Sequence, residues 1–330
     1  MANENSGLNR ARKSKNDEFY TQLPDIEREM RHYRKHFQGK TVYCNCDDPR
    51  ISAFFEFFTK NFEFLGLKRL VTTCYKSREM KQFSQNDSDR AIKLVYEGGA
   101  PNSMPAAEDI GVTLLEGDGD FASEECQGLL READIVVTNP PFSLFNEYVR
   151  QLDDFGKKFI IIGHQNAITY TTIFPLLRDN RMWLGYGFKG NAAHFIAPHY
   201  QDTASASDHK EGMIRVSGVV WYTNLDHNMR HEEIILVQRY HGNEAAYPRY
   251  DNYDAIEVSK SQNIPMDFEG VMGVPITFLT KYNPEQFEIL GCNRGVAQDP
   301  NGIYGRSSFL GGKETFKRLF IRNRNPIRIE

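Results

Sequence analysis

The stretch Asp134-Ile135-Val136-Val137-Thr138-Asn139-Pro140-Pro141-Phe142 holds the residues whose types and spacing best suit chemistry. Its apolar, β-branched run predicts a buried parallel strand, ended by a polar side chain, two prolines and an aromatic. In an open α/β sheet the carboxyl end of a strand is where ligands bind. Asn139 offers an amide oxygen there. Pro140 has no backbone donor and a fixed φ, so neighbouring carbonyls can face a ligand rather than enter a ladder. Phe142 adds a flat face at the rim. Two acceptors beside an aromatic plate fit a planar heterocycle that bears an exocyclic amine, with the amine held by the acceptors and the ring stacked on Phe142. The plain alternative is a strand followed by a Pro-Pro turn, since such dipeptides mark turns in many proteins.

Strands and helices alternate around this motif. A helix is predicted over Pro24–Phe37, with Asp25, Glu27 and Glu29 near its start and Arg34, Lys35 and His36 near its end, complementing the helix dipole. Strands are predicted at Thr41–Cys46, Leu70–Tyr75, Val112–Glu116 and Lys158–Gly163, besides the one that carries the motif. The helix predicted from Ser52 to Phe64 carries Phe54, Phe55, Phe57, Phe58, Phe62 and Phe64, a stripe that reads as core packing. Another helix runs from about Leu144 to Asp153. Residues 76–109, with their Ser, Gln, Asn, Gly and Pro clusters, read as containing a long loop. The alternation predicts an α/β fold, a mostly parallel twisted sheet with helices on both faces. Further along, Ile173 to Arg178 is expected as a helix, Val216–Tyr222 as a strand that forms an antiparallel edge with Met182–Tyr186, and Glu233–Gln238 as a strand.

The composition shifts near Asp226, where Tyr, Asn, Arg and His become frequent and apolar periodicity weakens. This predicts a flexible basic tail over residues 1–16, a catalytic domain over 17–225 and a smaller C-terminal region over 226–330, with the polar insertion 189–212 a possible addition to the latter.

The motif Asn139-Pro140-Pro141-Phe142 resembles the Asn/Asp-Pro-Pro-Phe/Tyr signature of amino-group methyltransferases that use S-adenosylmethionine. Lys15-Asn16-Asp17-Glu18-Phe19-Tyr20-Thr21-Gln22 is similar to the cofactor-contacting segment that opens many adenine-N6 DNA methyltransferases. The strand Thr41–Cys46 with Asp47-Asp48-Pro49 occupies the place of their first cofactor loop. Pro275-Ile276-Thr277-Phe278-Leu279 and Lys281-Tyr282-Asn283-Pro284-Glu285-Gln286-Phe287-Glu288-Ile289 resemble segments of the EcoRI-type adenine-specific modification methyltransferases. The resemblance runs over nearly the whole chain. It implies a Rossmann-like methyltransferase fold, S-adenosylmethionine as cofactor, and double-stranded DNA as partner. It assigns Phe19, Tyr20, Thr21, Asp47 and Pro49 to the cofactor's methionine end and Asp118 to its adenine amine, whereas Gly-Asp-Gly around Asp118 is also a good turn in its own right. It assigns catalysis to Asn139, Pro140, Pro141 and Phe142. Two departures stand out. The first loop, Asn45-Cys46-Asp47-Asp48-Pro49-Arg50, has no glycine, and the acid expected after the second strand is absent, with Glu79 a possible ribose partner.

The chemistry implied is transfer of a methyl group to the N6 amine of an adenine flipped out of duplex DNA, in a site-specific enzyme of restriction-modification type. An RNA or protein-glutamine methyltransferase with the same pocket is a rival, and so is a non-catalytic nucleic-acid-binding relative. The intact motif speaks against the last.

The chain of 330 residues is 40% hydrophobic and 25% charged, ordinary for a globular protein. No apolar run is long enough to cross a membrane and the N-terminus has no apolar core, so a cytoplasmic location is expected. Five scattered cysteines predict reduced thiols, and no second Cys pair suggests a metal site. The net charge of −4 counts weakly against nucleic acid. Its distribution counts for it: Arg306, Lys313, Lys317, Arg318, Arg322, Arg324 and Arg328 interleave with Tyr304, Phe309, Phe316 and Phe320, a basic face that could lie along phosphates. Lys189, Arg230, His231, Arg239, Asn293 and Arg294 are candidates for reading bases. The protein is expected to act as a monomer without an obligate protein partner.

Overall fold

Contacts divide the chain into two units. In the computed structural model one unit comprises residues up to His164 together with Gly185–Leu225, and the other comprises Gln165–Leu184 with Asp226–Glu330. The described residues are 20–46, 48–75, 91–99, 107–188, 192–196, 213–295, 299 and 301–327. The tail 1–16, Phe19, Asp47, Glu79, Lys189 and most of the insertion 189–212 lie outside them.

In the first unit, β1 (Thr41–Cys44), β2 (Arg69–Thr73), β3 (Ile92–Tyr96), β4 (Thr113–Leu114), β5 (Ile135–Thr138), β6 (Lys158–His164) and the strand Val219–Thr223 form one sheet. The order is β4-β3-β2-β1-β5-β6 and then Val219–Thr223. The four central strands β2, β1, β5 and β6 are parallel. The flanking pairs are antiparallel on both sides. The fold is therefore mixed α/β with a mostly parallel centre, and it fits a methyltransferase fold. All four residues of β1 and of β5 are buried, which explains their unbroken apolar and β-branched runs. Ile26, Phe37, Phe54, Phe58, Val137 and Trp221 are fully buried in the core that coats one face. Of the aromatic stripe, Phe64 alone is exposed, at 59%, and the Arg34 guanidinium lies 3.8 Å from its ring centre.

Several elements differ from expectation. The stretch 76–109 contains β3, whose alternating buried and half-buried residues mark a strand with one covered face. It occupies the position beside β2, so Val112–Glu116 contributes only the short antiparallel β4. The helix expected over Pro24–Phe37 is two, Leu23–Met30 and Arg34–Phe37. The aromatic helix also breaks, at Asn61, whose side-chain amide donates to the Phe57 carbonyl at 2.8 Å.

Glu29 is no dipole partner of its helix. It is fully buried and accepts from Tyr33 Oη (2.8 Å) and from the backbone N–H groups of Tyr186 (2.9 Å) and Gly187 (3.0 Å). A Cβ on Gly185 would lie 2.1 Å from Glu29 Oε1, so only glycine lets that segment close over the carboxylate. Burial pushes the Glu29 carboxyl up to about 7, against the three donors and the nearby Arg28 charge, which pull it down. A raised acid stabilises the fold below its unfolded value and loses that contribution as pH climbs through the folded value. The stability of the native protein minus that of Glu29→Gln should accordingly fall by about 3 kcal/mol between pH 4.5 and 7.5. Urea unfolding at stepped pH reads this, and a flat difference would mean that the carboxylate is ionised throughout.

In the second unit Ala255–Glu257, Val271–Pro275, Arg318–Asn323 and Phe287–Cys292 form a four-stranded sheet in that order. The first pair is parallel and the others antiparallel. The helix Ile173–Arg178 packs on Phe287–Cys292. Tyr250, Tyr253 and Phe320 form a small aromatic core. The Arg318 guanidinium donates to both oxygens of Glu257, at 2.8–3.1 Å, and Tyr250 Oη donates to the same carboxylate. Glu233–Gln238 is not a strand. The side-chain amide of Gln286 takes its place in the ladder, accepting from Ile234 N and donating to Ile234 O at 2.8 Å each, and Gln238 alone bridges, to Pro265.

Among the described residues no helix is long and apolar enough to cross a membrane, and no His, Cys, Asp and Glu side chains cluster as metal ligands. All five cysteines are thiols.

Candidate active site

β5 lies between β1 and β6, with Val136 opposite Tyr43 and Phe159. Asn139 and Pro140 follow at its carboxyl end, and both are buried, Asn139 at 7% exposure. Pro141 then caps a single 3₁₀ turn, Phe142–Leu144, with Leu144 N donating to Pro141 O at 3.0 Å. The helix Phe145–Asp154 begins at once and buries Phe145, Tyr148, Val149 and Leu152. The prolines thus fix the turn that swings the chain from a central strand into a helix, and the amide of Asn139 sits at its start. Phe142 is half-buried, edge-on to the buried Phe195 with ring centres 6.5 Å apart.

Phe195 stands on the strand Ala192–Ile196, and this strand brings in the N-terminal segment. Tyr20 and Ile196 exchange both backbone hydrogen bonds, at 3.0 and 3.2 Å. Thr21 is 3% exposed, and its hydroxyl has no hydrogen-bond partner among the described residues. Thr138, immediately before Asn139, also holds a buried hydroxyl without a partner among them.

The end of β1 is the third wall. Asn45 follows the strand and is 4% exposed. Its side-chain oxygen accepts from the hydroxyl of Tyr148, which is fully buried on the helix after the motif. Burial pushes the Tyr148 phenol well above its ordinary value, so it stays a donor. Asp48 is buried and accepts from Arg50 N at 3.0 Å, while its carbonyl takes the N–H groups of Ile51 and Ser52. Pro49 is buried beside it. These bonds shape the loop that has no glycine. Ser52 then caps the helix Ala53–Lys60.

The residues near β2 are brought together by one contact. Gly119 has φ +76°, and a Cβ there would lie 2.1 Å from the Cys74 carbonyl, so the Gly117-Asp118-Gly119-Asp120 turn seats on the residue just past β2. Asp118 is exposed, and its carboxylate accepts from Asp120 N at 3.0 Å, which is turn chemistry.

The sequence profile of the family described as "Adenine-specific methyltransferase EcoRI" matches residues 7–324. The chain belongs to this family. It is an adenine-specific DNA methyltransferase. It is 46% identical to the Type II methyltransferase M.EcoRI of Escherichia coli, over 97% of each chain. It is 39% identical to the Type II methyltransferase M.MgeORF184P of Mycoplasma genitalium, over 86% of each chain. To the Type II methyltransferase M.MpnI of Mycoplasma pneumoniae it is also 39% identical, over 97% of this chain and 99% of the other. No solved structure matches significantly. Membership in this family implies a methyl donor.

Among the residues considered for the site, Tyr20, Thr21, Pro49, Asn139, Pro140, Pro141 and Phe142 all lie in the first unit, at or beside the carboxyl ends of β1 and β5 or, for Tyr20 and Thr21, in the segment that bridges to Ile196 of the strand Ala192–Ile196. Asn45 and Tyr148 escape a linear reading because their bond spans 103 positions. A signal existed for Tyr148: it falls on the apolar stripe of its helix, and a buried hydroxyl must find a partner.

The base-reading candidates fare differently. Asn293 is fully buried, donating to Ser308 Oγ and Phe316 O and accepting from Arg318 N, so it holds the fold rather than a base. Arg294 is tied to Glu314, Ser307 and Thr315, and Arg230 lies 3.8 Å over the Trp183 ring. Arg239 is exposed.

Proposed function

We propose that the protein transfers a methyl group from S-adenosylmethionine to the N6 amine of an adenine flipped out of duplex DNA, at a specific site, as the modification half of a restriction-modification system. The observation that carries the reading is the buried Asn139 at the carboxyl end of a central parallel strand, followed by two prolines and a half-buried phenylalanine. Adenine N6 is a weak nucleophile because its lone pair is delocalised into the ring. Asn139 Oδ1 and the Pro140 carbonyl accept its hydrogens, favour a pyramidal nitrogen and orient the lone pair. Phe142 stacks on the extruded base, and Pro141 sets the turn that presents it.

When bound, the cofactor supplies a methyl sulfonium electrophile, so no covalent enzyme intermediate is needed. The residues present suit such a molecule, whose ammonium, hydroxyls and adenine amine need polar partners. The buried hydroxyls of Thr21 and Thr138, which have no partner among the described residues, support the fit. Tyr20, Pro49 and Asp118, with Phe19 and Asp47 outside the described residues, complete the set we assign to it. In this reading residues 17–225 form a Rossmann-like catalytic domain. Residues 226–330, with which Gln165–Leu184 cluster, form the target-recognition region together with the insertion 189–212. The enzyme acts as a monomer, one strand at a time.

The test is nucleoside mass spectrometry of unmethylated duplex DNA incubated with the protein and S-adenosylmethionine. N6-methyladenine is the expected product, and mapping the modified sites gives the recognition sequence. Methylated RNA or protein with unmodified DNA would overturn the assignment.

A further inference from the structure

Phe316 stands out in the second unit. It is 87% exposed, matched among large apolar side chains of the described residues only by Ile235. Its backbone is nevertheless firmly held. The fully buried Asn293 donates to the Phe316 carbonyl at 2.9 Å and accepts from Arg318 N at 2.7 Å, while its own N–H donates to Arg318 O at 3.1 Å. Asn293 is anchored in turn by Ser308 Oγ at 2.8 Å. On the other flank, Lys317 Nζ donates to both the carbonyl and the side-chain oxygen of Asn166, at 3.2 Å each. A buried network thus fixes the base of a side chain that itself packs on little.

Cations outnumber acids in the stretch that carries it. Arg306 and Lys313 are exposed and have no acid partner among the described residues, and Lys317 is adjacent in sequence. The acid of this stretch, Glu314, is taken by Arg294 at 2.8 Å. Ile235, by contrast, follows the exposed acids Glu232 and Glu233, which would repel phosphate. An aromatic ring on a backbone held by hydrogen bonds, in a stretch that also carries the exposed cations Arg306 and Lys313, has the chemistry of a stacking wedge for nucleic acid: cations hold the backbone, and the ring meets a base face.

We propose that Phe316 inserts into the bound duplex and stacks on bases there, stabilising the DNA conformation from which the target adenine has left the stack. The proposal rests on the reading of the protein as a base-flipping DNA methyltransferase. Extruding a base exposes the faces of its neighbours, and an aromatic ring that covers them makes the extruded state more populated.

The experiment compares native protein, Phe316→Ala and Phe316→Trp on a duplex carrying the mapped site. One set has adenine at the target. A second has 2-aminopurine there, whose fluorescence rises when it unstacks. A third has the target adenine mispaired. Phe316→Ala should lower kcat/KM on the paired duplex roughly 5- to 150-fold, the range for losing one aromatic–base stack. It should also lose most of the 2-aminopurine signal. Phe316→Trp should keep both. The mispaired target, already loosely stacked, should restore the alanine variant to near native rates. Equal rates for native and alanine proteins on paired DNA would overturn the proposal. So would equal slowing on paired and mispaired targets, the mark of a purely structural role. Native protein that methylates no duplex would refute the underlying function instead, and the native control separates the two failures.

Discussion

Asn139→Ala is expected to lose methyl transfer by at least about 10²-fold, with DNA affinity kept near native. The substitution deletes the side-chain acceptor that we assign to the adenine amine. That acceptor matters most as the nitrogen pyramidalises, so the loss should appear in kcat rather than in the dissociation constant of the duplex. Asn139→Asp should retain part of the activity, because a carboxylate oxygen accepts from the same amine. Single-turnover methylation beside fluorescence anisotropy on the same duplex resolves the two quantities. Normal turnover by the alanine variant would remove Asn139 from the mechanism. A fall in DNA affinity matching the fall in rate would make it a docking residue.

The second large effect concerns stability of the C-terminal unit. Glu257 is 7% exposed, and its two oxygens accept from the Arg318 guanidinium and from Tyr250. Glu257→Ala leaves a mostly buried guanidinium and a phenol hydroxyl without their acceptor, which costs about 3–5 kcal/mol. Removing both charges and the hydroxyl, in Glu257→Leu with Arg318→Met and Tyr250→Phe, should recover most of that, since an apolar cluster needs no acceptor. The two tryptophans make this measurable. Trp183 belongs to the second unit and Trp221 to the first, so urea unfolding in a Trp221→Phe background reports the second unit. A loss of under 1 kcal/mol in Glu257→Ala would mean that water replaces the carboxylate at little cost.

The turn after β5 was legible because its signals are local. A β-branched run, an abrupt polar stop and two prolines are read within nine residues, and β5 ends at Thr138, where the sequence suggested. The helix after it and β6 were equally plain, since burial on one face leaves its period in the residues. Features made by distant partners were not. Glu29 looks like any acid near a helix start until Tyr186 and Gly187, far along the chain, are seen to close over it. Asn293 looks like a base reader until its amide is found spent on Ser308, Phe316 and Arg318. Glu233–Gln238 has strand-like residues, but a strand needs a partner edge, and the side chain of Gln286 supplies its hydrogen bonds instead.

The excursion of Gln165–Leu184 into the second unit bears on how such proteins diversify. The chain passes between the units after His164, after Leu184 and after Leu225. Ile173–Arg178 buries its apolar residues against Phe287–Cys292, so the two stretches are matched surfaces. A recombination that replaced everything beyond Leu225 would pair this helix with a foreign sheet. The C-terminal unit is therefore not a cassette that one crossover can exchange between relatives. Grafting it intact takes two separate segments moved together.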